Sequence, residues 1–266
     1  MAEKMSNPPI FFAASQVTFN EIRGMEKFVD AIQEKMRAKK YVDFSRGEQK
    51  TFQINAASPD PSLQQSQTTR WQFVNFEKTS GYVLLPNSLF FQTTDYETSD
   101  ELRHSLLQGL EIVHEIVGLD YVQAIGLRTL DAIIPRENET VATYLKSNLL
   151  GFSQTFKGTL RHTMTETVIQ KEGGVLVARV VILGPESSGL GVPFDLYPIQ
   201  LKMMDRFQTV KGMHAVLDND RTQQDRFKFD LHEIEKRFTA LKEDLTDAFY
   251  AGITQTAEDT WRRTSI

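Results

Sequence analysis

The stretch His214-Ala215-Val216-Leu217-Asp218-Asn219-Asp220-Arg221 holds the densest set of side chains able to do chemistry. An imidazole and two carboxylates spaced by four and two residues suit divalent-cation binding or proton transfer. On a strand, alternate side chains share a face, so His214, Val216, Asp218 and Asp220 fall together and Ala215, Leu217 and Asn219 fall opposite. A rise of about 3.3 Å per residue separates His214 from Asp220 by about 20 Å, too far for one ion. Asp218 and Asp220, about 6 to 7 Å apart on the same rise, remain as an acidic pair able to flank a cation. A calcium loop is excluded: counted from Asp218, the sixth position is Gln223 instead of Gly and the twelfth is Phe229 instead of Glu. The plainer reading, a solvated strand end leading into the turn Arg221-Thr222-Gln223-Gln224-Asp225, outweighs the acidic pair.

Arg128 stands in the run Gly126-Leu127-Arg128-Thr129-Leu130-Asp131, in an otherwise apolar strand. A buried guanidinium needs carboxylate partners. On a straight strand Arg128 and Asp131 face opposite sides, so Arg128 is expected either to pair with an acid on a neighbouring element or to anchor an anionic ligand in a groove. His162 and Glu166 share a strand face about 13 Å apart, beyond a direct dyad, and with Arg161 they read as a solvated surface. His104 and His114 lie about 15 Å apart along one helix. The loop with Gly184, Gly189 and Gly191 lacks the Gly-Lys-Ser/Thr ending of a phosphate-binding loop. No zinc-protease, nucleophile-elbow or dinucleotide-binding pattern occurs. No metal site and no cofactor is expected.

The bulk composition is that of an ordinary globular protein. With 266 residues, 40% hydrophobic and 24% charged, the chain can bury a sizeable core in one large or two small domains. A net charge of −5 supplies no general attraction to phosphate backbones, so nucleic-acid binding is disfavoured. Its best basic cluster, Arg37, Lys39 and Lys40, falls at a helix end where cations complement the dipole. The absence of cysteine excludes disulfides, thiolate nucleophiles and zinc–cysteine sites. No apolar run suffices for a membrane span or a signal peptide, which predicts a cytoplasmic protein.

The elements that must position these groups follow from periodicity. A strand is expected within residues 8–19, then a helix whose stripe is Ile22, Met25, Phe28, Val29, Ile32 and Met36. Strand-like pieces follow at Lys50–Asn55, Trp71–Phe76 and Tyr82–Thr93, the last broken by a turn at Pro86-Asn87; residues 56–69 read as a surface loop. Thr98 and Glu101 form a capping box for a second helix that stops at Gly118, and a strand spans Tyr121–Ile134. A helix is expected from about Glu139 to Leu150. Strands Thr159–Gln170 and Val175–Leu183 flank the hairpin signal Glu172-Gly173-Gly174, residues 184–198 form a loop, and Ile199–Phe207 alternates like a strand. The last helix opens at Asp230, buries Ile234, Phe238, Leu241, Leu245 and Phe249, and ends at Gly252, with a short tail through Trp261 packing back. This is an α+β pattern of antiparallel sheets with helices packed on one face, in two similar-sized, closely packed halves, 1–136 and 137–266.

Over nearly its whole length the chain resembles an uncharacterised, sporadically distributed bacterial protein family of about this length. The resemblance rests on Asn7-Pro8-Pro9-Ile10, Trp71-Gln72-Phe73, Gly126-Leu127-Arg128, Leu217-Asp218-Asn219-Asp220 and the ending Asp247-Ala248-Phe249-Tyr250-Ala251-Gly252-Ile253-Thr254. Thr129-Leu130-Asp131 stands where that pattern has an aromatic residue and an asparagine. The resemblance implies no activity; patchy distribution implies an accessory role, such as defence against mobile elements. No catalytic motif survives its own geometry, while long strands, aromatic residues and two extended loops offer contact surface. The leading expectation is therefore a non-catalytic interaction protein, working with a protein partner or as a homo-oligomer. Its rivals are a metal-dependent hydrolase or nuclease using Asp218 and Asp220, and a small anionic-ligand binder anchored by Arg128.

Overall fold

In the computed structural model the apolar stripes become helices lying on one face of one sheet. The structure describes residues 5–262 apart from 56–61, 156, 192, 194, 195, 197 and 198. The chain runs through β1 (Ile10–Phe19), a 3-10 turn (Met25–Phe28), α1 (Val29–Ala38), β2 (Asp43–Asn55), β3 (Ser62–Val74), β4 (Ser80–Leu85), β5 (Ser88–Thr93), α2 (Ser99–Val117) and β6 (Tyr121–Ile133). It continues through α3 (Val141–Tyr144), β7 (His162–Lys171), β8 (Gly174–Leu183), α4 (Asp205–Gln208), β9 (His214–Gln223), β10 (Phe227–Lys228), α5 (Leu231–Gly252) and α6 (Gln255–Arg262). The strands join in the order β2-β3-β4-β5-β1-β6-β9-β8-β7, with β10 pairing β6, and neighbours are antiparallel. This α+β fold has a single ten-stranded sheet. The β6–β9 ladder carries it across residue 136, so both portions of the chain contribute to it.

Local signals account for the main helices. The Thr98 hydroxyl accepts a hydrogen bond from the Glu101 amide at 3.2 Å, and Gly118 ends α2 at φ 74°, a left-handed conformation that costs glycine little. Leu102, Leu106, Leu110 and Val113 bury one stripe of α2 against the sheet. The Asp230 carboxylate accepts from the His232 and Glu233 amides and starts α5, which buries Ile234, Phe238, Leu241 and Leu245. Each such side chain contributes about 1.5–3 kcal/mol on burial. Gly173, at φ 68°, closes the β7–β8 hairpin.

Period-two alternation then sorts the sheet residues. Ala13 and Val17 of β1, Ile125 and Leu127 of β6, and Tyr82 and Leu84 of β4 pack on the helix side. Phe12, Ala14, Leu130, Ala132 and Val216 face the other side and pack under Phe207 of α4. Among the described residues no helix is long and apolar enough to cross a membrane.

Three segments depart from expectation. Helical structure between Glu139 and Leu150 is confined to Val141–Tyr144 and a 3-10 turn at Ser147–Leu149. Leu145 is extended because it bridges Ile253, and the Lys146 amide donates to the Gly252 carbonyl at 3.0 Å. A tertiary contact therefore overrides local propensity. Ile199–Phe207 is not a strand: it lies across the open face, where the Ile199 amide donates to Gln92 Oε1 at 2.9 Å and the Thr94 hydroxyl donates to the Lys202 carbonyl at 2.6 Å. Its alternation reports burial of Ile199 and Phe207 on the sheet, not membership of a ladder. Ser62–Thr69, expected to be loop, belongs to β3 and pairs with β2; a ladder satisfies backbone groups whatever the side chains, so polar residues join it without an apolar period. The remaining loop residues, 56–61, lie outside the described residues.

Candidate functional site

Strands β6, β9, β8 and β7 lie side by side, and their registers bring the sequence candidates together. Arg128 is opposite Asp220 across β6–β9, Arg179 is opposite Asp218 across β8–β9, and Glu166 is opposite Arg179 across β7–β8. All five face away from the helices. Arg128 Nε and Nη2 donate to the two carboxylate oxygens of Asp218, each at 2.7 Å. Arg179 Nη1 donates to Asp218 Oδ2 at 3.2 Å, and its Nε donates to Glu166. Arg128 also stands 3.7 Å from Asp220. Three carboxylates against two guanidinium ions leave one negative charge on this ladder.

Burial corrects the reading of this stretch as a solvated strand end. Asp218 is fully buried and the Arg128 side chain is 9% exposed. His214 is buried too, its Nδ1 2.7 Å from the Gly212 carbonyl oxygen and its Nε2 3.1 Å from that of Gly189. These contacts tie His214 to the segment crossing the open face, well away from the acids. As the parity of the strand predicted, Arg128 finds its acid on another element and Asp131 lies on the opposite face.

Chemically, the ladder is closed. A bidentate guanidinium–carboxylate fork is among the stronger and more directional pairs. A divalent cation at Asp218 would have to displace two arginines, and an anion at Arg128 would have to displace Asp218. Among the described residues no group of three or more His, Asp or Glu gathers in a metal-binding arrangement. On the helix face a second network does similar structural work. Arg221, 4% exposed, donates through Nε to Asp244 of α5 at 2.7 Å and through Nη2 to the Glu172 carbonyl at 2.9 Å. Burial works against the Asp244 carboxylate, but hydrogen bonds from Arg221 and Lys171 hold its pKa below the ordinary value.

The ladder ends on β7, the last strand of the sheet. There Met164 and Val168 are each 60% exposed and Ile169 is 43% exposed. Sequence reasoning took this strand for a polar surface because of its threonines; Met164 and Val168 alternate with them on the open face, and Ile169 lies on the threonine side.

Asp131 is the residue that sequence reasoning passed over. It is 5% exposed on the helix face, and burial, with the nearby charge of Asp218, pushes its pKa up to about 8. The available signal was a lone acid among apolar residues on a strand, placed where Arg128 could not reach it. No protein-family model matches the chain, and the curated proteins yield no match.

Proposed function

We propose that the chain is a non-catalytic binding protein that assembles with a second copy of itself through the outer edge of β7. The observation carrying this reading is the state of that strand. It terminates the sheet, no strand pairs its outer edge among the described residues, and Met164 and Val168 project from one face at 60% exposure. An open edge with apolar side chains is a template for strand addition.

A two-fold axis normal to the sheet at Glu166 satisfies the pairing rules. It adds an antiparallel β7, keeps the two faces continuous, and sets Met164 of each copy opposite Val168 of the other. Each such apolar cross-strand pair contributes about 0.2–1 kcal/mol beyond the ladder itself. The two Glu166 side chains meet near the axis, where Arg179 beneath each limits their repulsion. The closed Arg128–Asp218 fork favours this reading over a hydrolase or an anion binder, because both candidate groups are already engaged.

Size-exclusion chromatography with light scattering tests it. The wild type is expected to be a dimer, and the double variant Met164→Lys/Val168→Lys a folded monomer with an unchanged far-ultraviolet spectrum. A wild type that stays monomeric up to its solubility limit, or a double variant that stays dimeric, overturns the proposal.

A further inference from the structure

Apart from the Arg221–Asp244 network, a second polar patch interrupts the apolar helix face of the sheet. There Ser15 of β1 is 1% exposed, Asn219 of β9 is fully buried and Asp131 of β6 is 5% exposed. The register gathers them: Thr129 of β6 is opposite both Ala13 of β1 and Asn219 of β9, and Asp131 lies two residues further along β6. Ser15 Oγ and both amide atoms of Asn219 have no hydrogen-bond partner, and none is found for the Asp131 carboxyl among the described residues. A buried polar group without a partner costs about 1–3 kcal/mol, and more when charged. Three such atoms, with the Asp131 carboxyl beside them, are a concentrated cost that packing alone does not explain.

A cleft of about 540 Å³, between the start of α2 and the second half of α5, reaches the edge of this patch at Asp131. Leu127, Thr129 and Asp131 form its floor, and Leu102, Leu245 and Phe249 supply apolar wall. The volume falls within the range of about 300–1,000 Å³ usual for small-molecule sites.

We propose that this cleft binds an organic ammonium ion with an apolar body, with Asp131 as its counter-charge and Thr129 as a second acceptor. The charged and titratable groups facing Asp131 are Tyr96 and Glu97 ahead of α2, Asp100 on α2, Lys242 and Tyr250 on α5, and Asp218 on β9 behind it. Asp218 is matched by Arg128 and Arg179, and Asp100 by Arg103 at 3.2 Å. Asp131 has no cation within salt-bridge distance among the described residues. Asp131 is the acid on the floor of the cleft, and once ionised it repels a simple anion. An ammonium group has three donors and no acceptor, complementary to the Asp131 carboxylate and the Thr129 hydroxyl. Leu102, Leu127, Leu245 and Phe249 fit the hydrocarbon part.

The protonation of Asp131 gives the proposal a sign. In the empty cleft burial holds its pKa at about 8, so at neutral pH the carboxyl is mostly protonated. An ammonium ligand favours the carboxylate and expels that proton. Affinity therefore rises with pH up to about 8, by at most about tenfold per unit, and levels off above that value.

Calorimetry and ligand-observed NMR on the full chain, with 2-phenylethylamine and 3-phenylpropanoate as probes, test the proposal. Saturable one-to-one binding is expected for the amine alone, tighter by at least about tenfold at ~pH 8.5 than at ~pH 6, with proton release seen as buffer-dependent heat. Asp131→Asn is expected to weaken the amine at least about tenfold at the higher pH without lowering the melting temperature. Thr246→Trp, which fills the cleft wall and leaves Asp131 in place, is expected to abolish binding. Preference for the carboxylate, an amine affinity unchanged in Asp131→Asn, or no saturable binding of either probe overturns the proposal; in the last case the cleft holds only water. The site lies away from the β7 edge, so these outcomes are read independently of oligomeric state.

Discussion

Asp218 accepts both Nε and Nη2 of Arg128, each at 2.7 Å, through a fork that crosses the β6–β9 seam. Removing one member of a buried pair strands the other charge, at a cost of about 3–5 kcal/mol. Arg179 still touches Asp218 at 3.2 Å, so Arg128→Met is expected at the lower end, near 3 kcal/mol. The double variant Arg128→Met/Asp218→Leu removes both charges and should recover most of that loss. Urea unfolding of the two variants decides the matter. If the single substitution loses less than about 1 kcal/mol, the fork is not what holds the seam.

The pairing of these two residues was only half legible in the sequence. Strand parity put Arg128 and Asp131 on opposite faces and left Arg128 either an acid from another element or an anionic ligand in a groove, but nothing local encodes that β9 lies beside β6 in the register Arg128↔Asp220. Helices α2 and α5 were legible because both a 3.6-residue stripe and a cap are written within a few residues of each other. Residues 199–207 were misleading for a physical reason: alternation records which side chains touch a sheet, and a crossing segment touches it as a strand does. Leu145 was misleading because its extended backbone comes from Ile253, which is remote in the chain. Asp131 matters for what fails to meet it, and the gap between α2 and α5 exists only in three dimensions.

Asp131 should make stability fall as pH rises. Burial lifts its folded pKa from 3.8 to about 8. Below the unfolded value the group is protonated in both states and has no effect. Between the two values the folded state holds a proton that the unfolded state has released, so stability falls with pH and levels off above about 8. Asp131→Asn keeps the shape and removes the titration. Its advantage over wild type in urea unfolding should grow from ~pH 5 to ~pH 8, reaching a few kcal/mol, and then stay constant. A difference that does not change with pH would show that Asp131 does not titrate in this window.

Gly109 sets the distance between α2 and the sheet. A methyl group at this position would lie 2.4 Å from Cε1 of Tyr82. Tyr82 cannot easily retreat: it is fully buried, its hydroxyl donates to the Ser105 carbonyl at 2.5 Å, and Phe91 packs against its ring. Gly109→Ala gains helix propensity, worth about 1 kcal/mol on an open helix, but overpacking costs about 1–3 kcal/mol. A net loss is expected in thermal unfolding, and it should disappear in Gly109→Ala/Tyr82→Leu, where the ring is removed. A stabilised single variant would mean that α2 can shift outward without penalty.

His214 should hold the crossing segment down and contribute little elsewhere. Its ring is buried and reaches the carbonyl oxygens of Gly212 and Gly189, which bracket much of the chain that leaves β8 and returns to β9. Phenylalanine fills similar space but has no ring N–H to donate to either carbonyl, a loss of about 1–3 kcal/mol. Because the lost contacts lie on one segment, the effect should be local. In His214→Phe, hydrogen exchange should accelerate over residues 184–212, while β1 and β6, held by their own ladder, keep their protection. Acceleration spread evenly over the sheet would instead assign His214 to the core of β9, with no special hold on the segment above it.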